Sequence, residues 1–212
     1  MVMLTLAILI VTTAGKMLTD NLKSGINTFG QNYLPAISSI LNADRDLYQA
    51  REAELEYLLG NTSDDVLNNF NENAQQALDR MNKYKELMSG YPHIVNKLDD
   101  FDTRFSAWKS KAGKVMSLVK QGKVDEAHAL SDGEALTAFK SLRDLYNLAG
   151  EELDAESIRK RDSLATQISD VSFMLGAFII IVLIIAGLLT FLTPKMLVAN
   201  IHNLTKSIED IS

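Results

Sequence analysis

The chain has 212 residues, 47% of them hydrophobic and 23% charged, with a net charge of −6 at pH 7 and no cysteine. The missing cysteines exclude disulfides, thiol nucleophiles and cysteine-held zinc or iron–sulfur sites. The acidic balance argues against nucleic acid as a partner, because phosphate binding needs a concentrated basic surface.

A mean hydropathy of +0.01 averages two unlike populations. Lys16 to Asp170 is acidic and polar, whereas Val171 to Thr193 carries no charge at all. A well-mixed soluble core does not segregate its apolar residues in this way. Three prolines, eleven glycines and few β-branched runs between the apolar ends argue against an all-β fold. The expectation is a mostly helical membrane protein.

In chain order, Val2–Gly15 comes first, with about fourteen apolar or small residues against the roughly 17–25 of a spanning helix. Two readings fit it. One is a cleavable signal peptide, with Thr12-Thr13-Ala14 at the cleavage site; the other is a transmembrane helix whose start lies outside this sequence. Signal peptides carry a basic leading region and none is present, which favours the transmembrane helix.

Residues 16–170 read as four helices with short breaks. The first places Ile37, Leu41, Asp44, Tyr48, Arg51, Leu55 and Leu58 on one stripe, read as its core face, and Pro35 is expected to kink it. Gly60-Asn61 stops that helix, and Thr62 or Ser63 caps the next, with Asp64 and Asp65 in its first turn. The second helix carries Val66, Phe70, Ala74, Ala77, Met81, Tyr84 and Met88. The third starts near Pro92 and carries Ile94, Leu98, Phe101, Phe105, Trp108, Ala112, Val115 and Val119. A turn at Gln121-Gly122-Lys123 leads to the fourth, which can run on into the membrane. Short connections make successive helices antiparallel, so the expected fold is all-α: an up-down-up-down four-helix bundle flanked by two transmembrane helices. At 1.5 Å per residue the first and fourth helices would span about 66 and about 70 Å, and the inner pair about 40 Å.

Val171–Thr193 is long enough to cross the roughly 30 Å hydrocarbon core. Beyond Pro194, the residues Leu197, Ile201, Leu204, Ile208 and Ile211 form a heptad seam too short to stand alone.

No residue set in the chain points to covalent chemistry. His93, His128 and His202 are scattered without metal-ligand spacing, so no metal and no cofactor is expected. Glu151-Glu152 and Asp99-Asp100 are adjacent pairs that diverge on a helix. Arg159-Lys160-Arg161 is followed at once by Asp162 and reads as a solvated face. Trp108 belongs to a core stripe rather than to an aromatic ligand box. Asp44 and Arg51 interrupt an apolar stripe around Tyr48, with two readings open. Their stems can lie along the apolar surface with their heads in water, or they can form a polar layer at a helix seam.

The run Asn42-Ala43-Asp44-Arg45-Asp46-Leu47-Tyr48-Gln49-Ala50, with Glu52 and Glu54 after it, resembles the first bundle helix of methyl-accepting chemotaxis proteins. Gln121-Gly122-Lys123 with Ala127, then Phe139 and Leu142, is similar to the turn and start of the fourth. Pro194 and the seam after it look like the first helix of a HAMP linker. The resemblance implies a homodimeric chemoreceptor in the bacterial inner membrane, with residues 16–170 outside the cytoplasm. Its ligand would be a small molecule or a periplasmic binding protein. Its missing C-terminal part would control a cytoplasmic histidine kinase through an adaptor. The same module also occurs on sensor histidine kinases and diguanylate cyclases, and a purely structural anchored bundle is a third reading. By the same resemblance Arg45, Tyr48 and Arg51 are candidate ligand residues. Pro194, Leu197, Ile201, Leu204, Ile208 and Ile211 are candidate signal-transmission residues.

Overall fold

The structure is a computed structural model describing the backbone of residues 2–209 and the side chains of residues 5–198, 200 and 201. Its helices are α1 (Val2–Thr28), α2 (Leu34–Leu58), α3 (Asp64–Leu87), α4 (Pro92–Val95), α5 (Phe101–Lys120), α6 (Val124–Leu130) and α7 (Leu136–Glu209). Two π-turns, Phe29–Tyr33 and Ser131–Ala135, join α1 to α2 and α6 to α7. No strand occurs among the described residues. The residues form two compact units: Ser24–Arg161, and those up to Lys23 together with those from Asp162 onward.

Residues 24–161 are the helical bundle, and its cross-helix pairs fix the chain directions. Between α2 and α7, Asp44 meets Arg143, Tyr48 meets Phe139 and Arg51 meets Ser131, so numbers rise on one helix as they fall on the other. Between α5 and α7, Arg104 meets Ser141 and Lys111 meets Glu134, again antiparallel. Tyr84 Oη donates to the Ala149 carbonyl at 2.6 Å and Tyr146 Oη to that of Ala77 at 3.2 Å, so α3 and α7 run in the same direction. An up-down-up-down bundle places its second and fourth helices in this way.

Aromatic side chains dominate the core. Trp108, Tyr33, Tyr57, Tyr84, Tyr146 and Phe101 are its largest fully buried members. Trp108 stacks among Phe70, Phe105 and Phe139, with ring centroids between 5.7 and 6.4 Å away. A second apolar cluster joins Leu58, Val115, Leu118, Ala127 and Ala135. The turns follow the sequence signals: Gly60 and Gly122 adopt φ of 107° and 74°, open to glycine without a Cβ clash. Ser63 Oγ accepts the Val66 N–H at the start of α3.

Two expectations need correction. The core face of α2 is Ala36, Ile40, Ala43, Leu47, Ala50 and Tyr57, one position back from the expected stripe. Ile37, Leu41, Tyr48 and Leu55 stand out to solvent, Leu41 by 66%. Alanines at 36, 43 and 50, alternating with Ile40, Leu47 and Tyr57, let α3 approach closely on the core face. The third helix is not continuous from Pro92: α4, a 3₁₀ turn at Asn96–Leu98 and Asp99-Asp100 precede α5. The first helix is interrupted next to Pro35 as expected, since α1 ends at Thr28 and a π-turn precedes α2. The π-turn ends at Tyr33, just before Leu34-Pro35, so Pro35 falls in the first turn of α2, where a missing N–H costs little.

The segment between α3 and α5 touches the π-turn before α2 on one side and α7 on the other. On one side Asn32 Nδ2 donates to the Leu87 carbonyl at 3.0 Å, and the Tyr33 and Tyr91 hydroxyls meet at 2.8 Å. On the other, His93 Nε2 lies 3.2 Å from Glu156 Oε2, and Lys97 pairs with Glu152.

In the second unit, one helix among the described residues is long and apolar enough to cross a membrane. Its Thr190 and Thr193 hydroxyls donate to the carbonyls of Ala186 and Leu189, so neither needs water. Ala7, Ile8 and Val11 of α1 and Phe178, Ile179 and Val182 of α7 line an apolar cavity of about 280 Å³.

Candidate functional site

The outward row of α2 faces the start of α7 across a groove of about 620 Å³. Tyr48, Arg51, Glu52 and Leu55 form one wall, Leu136, Phe139, Lys140 and Arg143 the other, and Asp132 of the π-turn closes one end. The four α2 residues fall at 48, 51, 52 and 55, three and four apart, which puts them on one helix face.

Two ion-pair systems hold Arg143 and Arg51. Arg143 Nε donates to Asp44 Oδ1 at 3.2 Å, with the guanidinium 4.7 Å from the centre of the Tyr48 ring. Tyr48 in turn meets Phe139 edge-on at 5.3 Å. Arg51 is 7% exposed; its Nη1 donates to Glu54 Oε1 and its Nη2 to the Ser131 carbonyl at 3.1 Å. Ser131 Oγ donates to the same Glu54 oxygen at 3.2 Å, and Glu54 Oε2 is buried without a partner. Glu52, Asp132 and Lys140 make no ion pair among the described residues.

The groove can take a small molecule of mixed character: aromatic faces at Tyr48 and Phe139, cations at Arg51, Lys140 and Arg143, and carboxylates at Glu52 and Asp132. Among the described residues, no group of three His, Cys, Asp or Glu side chains could hold a metal ion.

Tyr48 and Arg51, two of the candidates named from sequence, are brought together on this wall. Arg45 is not with them; its Nη2 pairs at 2.9 Å with Asp46, which is fully buried and also lies 2.9 Å from Arg80 Nε. That second contact has an ion-pair distance, but its angle leaves Asp46 Oδ2 without a hydrogen bond. Arg51 does not send its head to water, because Glu54 and Ser131 hold it inside. Asp44 stays at the seam edge, paired across it with Arg143.

Glu54, Ser131, Lys140 and Arg143 were not found from sequence. The Arg51–Glu54 pair is visible as an i, i+3 spacing, but Ser131 and Arg143 lie 80 and 99 residues from their α2 partners. Pro194 lies inside α7 without ending it, and Leu197 and Ile201 are exposed on it. The side chains of Leu204 and Ile208, and all of Ile211, lie outside the described residues.

A family model described as a four helix bundle sensory module for signal transduction matches residues 1–154. No curated protein and no solved structure matches the chain.

Proposed function

Because the chain belongs to the family of four-helix-bundle sensory modules for signal transduction, we propose that it is the sensing part of a chemoreceptor of the bacterial inner membrane. The bundle lies outside the cytoplasm and detects a small molecule in the groove between α2 and α7. The observation that carries this reading is the groove itself: three cations and two aromatic rings converge on one concavity. Tyr48 and Arg51 are its ligand residues on α2, with Arg143 and Lys140 opposite. The module acts by binding, and its output is conformational.

The outward row of α2 (Ile37, Leu41, Tyr48 and Leu55) supports a homodimer. Exposed apolar residues spaced four and seven apart fall on one helix face, the kind of row by which helices pair. The signal then leaves along α7, through its apolar stretch and Pro194, to a HAMP linker and a kinase-control region.

Thermal shifts of the full chain in detergent, against a panel of amino acids and organic acids, test the groove. At least one compound should raise the melting point, and Arg143→Ala should abolish that rise. A panel that shifts nothing, or a shift that survives Arg143→Ala, removes the groove as the ligand site. An alkaline phosphatase fusion near Gly90 tests the topology: an inactive fusion overturns it.

A further inference from the structure

Arg51 belongs to two places at once. It lines the groove, and its Nη2 donates to the carbonyl of Ser131, the first residue of the π-turn between α6 and α7. That carbonyl also accepts the Leu136 N–H, five residues on, a donor it shares with the Gly133 carbonyl, and this closes the wide turn. A π-turn carries one residue more than the α-helix around it, and a donor from outside the helix helps to hold it open. Gly133, inside the turn, weakens the competing α register.

A guanidinium has five N–H groups in a fixed fork. Nη1 can stay on the buried Glu54 carboxylate while Nη2 changes partner, so a swap need not strand a buried charge. Ser131 Oγ also keeps its bond to Glu54.

We propose that the π-turn Ser131–Ala135 reads the occupancy of the groove: an anionic group bound there takes Arg51 Nη2 from the Ser131 carbonyl, and the turn relaxes toward α register. This rests on the groove reading above. The relaxation falls on α6 rather than α7, because the two are held unequally. Beyond the turn, α7 buries Phe139, Leu142, Leu145 and Tyr146, whereas α6 buries Ala127 alone. The cluster of Leu58, Val115, Leu118, Ala127 and Ala135 therefore loosens when the groove fills. Coupling is reciprocal: whatever binds at α6 changes groove affinity by the same factor.

Amide hydrogen exchange on the full chain in lipid nanodiscs tests this. Arg51→Lys keeps one cation for Glu54 but cannot serve Glu54 and Ser131 with a planar fork. Exchange at 124–136 should rise by about tenfold or more, the loss of a charge-assisted bond, with Leu142–Ala149 unchanged. No rise, or a uniform rise that includes Leu142–Ala149, overturns the proposal. Benzoate added to the unsubstituted chain at millimolar concentration is the second arm. Protection of 48–55 with faster exchange at 124–136 supports the coupling, even where Arg51→Lys fails to fold. Protection of 48–55 with no change at the turn overturns the coupling and leaves the groove reading standing. No protection at 48–55 counts against the groove reading alone, and the lysine variant then decides the coupling.

Discussion

Arg143 of α7 lies over the Tyr48 ring of α2 at 4.7 Å from its centre, and this contact ties the first bundle helix to the fourth across the groove mouth. Both residues remain partly open to solvent, so the contact is an accessible one. A double-mutant cycle of Arg143→Ala and Tyr48→Ala should give a coupling of about 0.5–1 kcal/mol in denaturant unfolding. A coupling of zero would mean that the two side chains merely lie side by side.

Trp108→Ala should destabilise the bundle by about 3–5 kcal/mol, since truncating a fully buried aromatic leaves a cavity among Phe70, Phe105 and Phe139. Trp108→Phe should cost clearly less, because the indole N–H has no partner to lose. Equal losses for the two variants in urea titrations would contradict this packing.

Alkaline pH should unfold the bundle. Burial pushes the phenols of Tyr33, Tyr84 and Tyr146 well above their ordinary value of 10.0. The native state therefore prefers the neutral phenol. The stability this contributes is fully present below pH 10 and is lost as pH climbs beyond it. Tyr84→Phe should remove one share of that alkaline loss, while costing about 1 kcal/mol at neutral pH for the bond to Ala149. Circular dichroism across pH 8–12 checks both; an unchanged alkaline transition in the variant would refute the assignment.

The exposed row of α2 can be tested because the chain has no cysteine of its own. Leu41→Cys should form an intersubunit disulfide on mild oxidation, and Ala43→Cys, on the buried face, should not. Monomer from both on a non-reducing gel would remove the α2 dimer.

Transmission along α7 has its own test. Four glycines inserted after Asp170 should disconnect ligand from output, because a flexible break dissipates a displacement that a stiff helix carries. Normal signalling by that variant would rule out a rigid-helix route.

The fold was legible in the sequence wherever periodicity and packing agree. The stripes of α3 and α5 are buried from Val66 to Tyr84 and from Phe101 to Val115, because large apolar residues there have only the core to occupy. In α2 the rule misled, since alanines at 36, 43 and 50 share the close-packed face with Ile40, Leu47 and Tyr57, while Ile37, Leu41 and Leu55 lie on the open one. Half of the groove was legible: Tyr48 and Arg51 stand out as polar breaks in an apolar row. Arg143, Lys140 and Ser131 carry no such contrast, because their meaning comes from helices paired across the bundle. The π-turns were not legible either; a one-residue surplus in a helix leaves no compositional mark.

The segment between α3 and α5 grips its two neighbours with unequal strength. Toward Tyr33 it uses a phenol–phenol bond beside a buried ring, next to the Asn32 amide on the carbonyl of Leu87 at the end of α3. Toward α7 it uses the half-exposed side chains of His93 and Lys97, whose surface contacts with Glu156 and Glu152 each contribute about 1 kcal/mol at most. Under a lengthwise load the brace gives first on the α7 side, where long side chains can swing to follow. A brace held in this way is a slip plane along α7 and a firmer mount at the π-turn before α2.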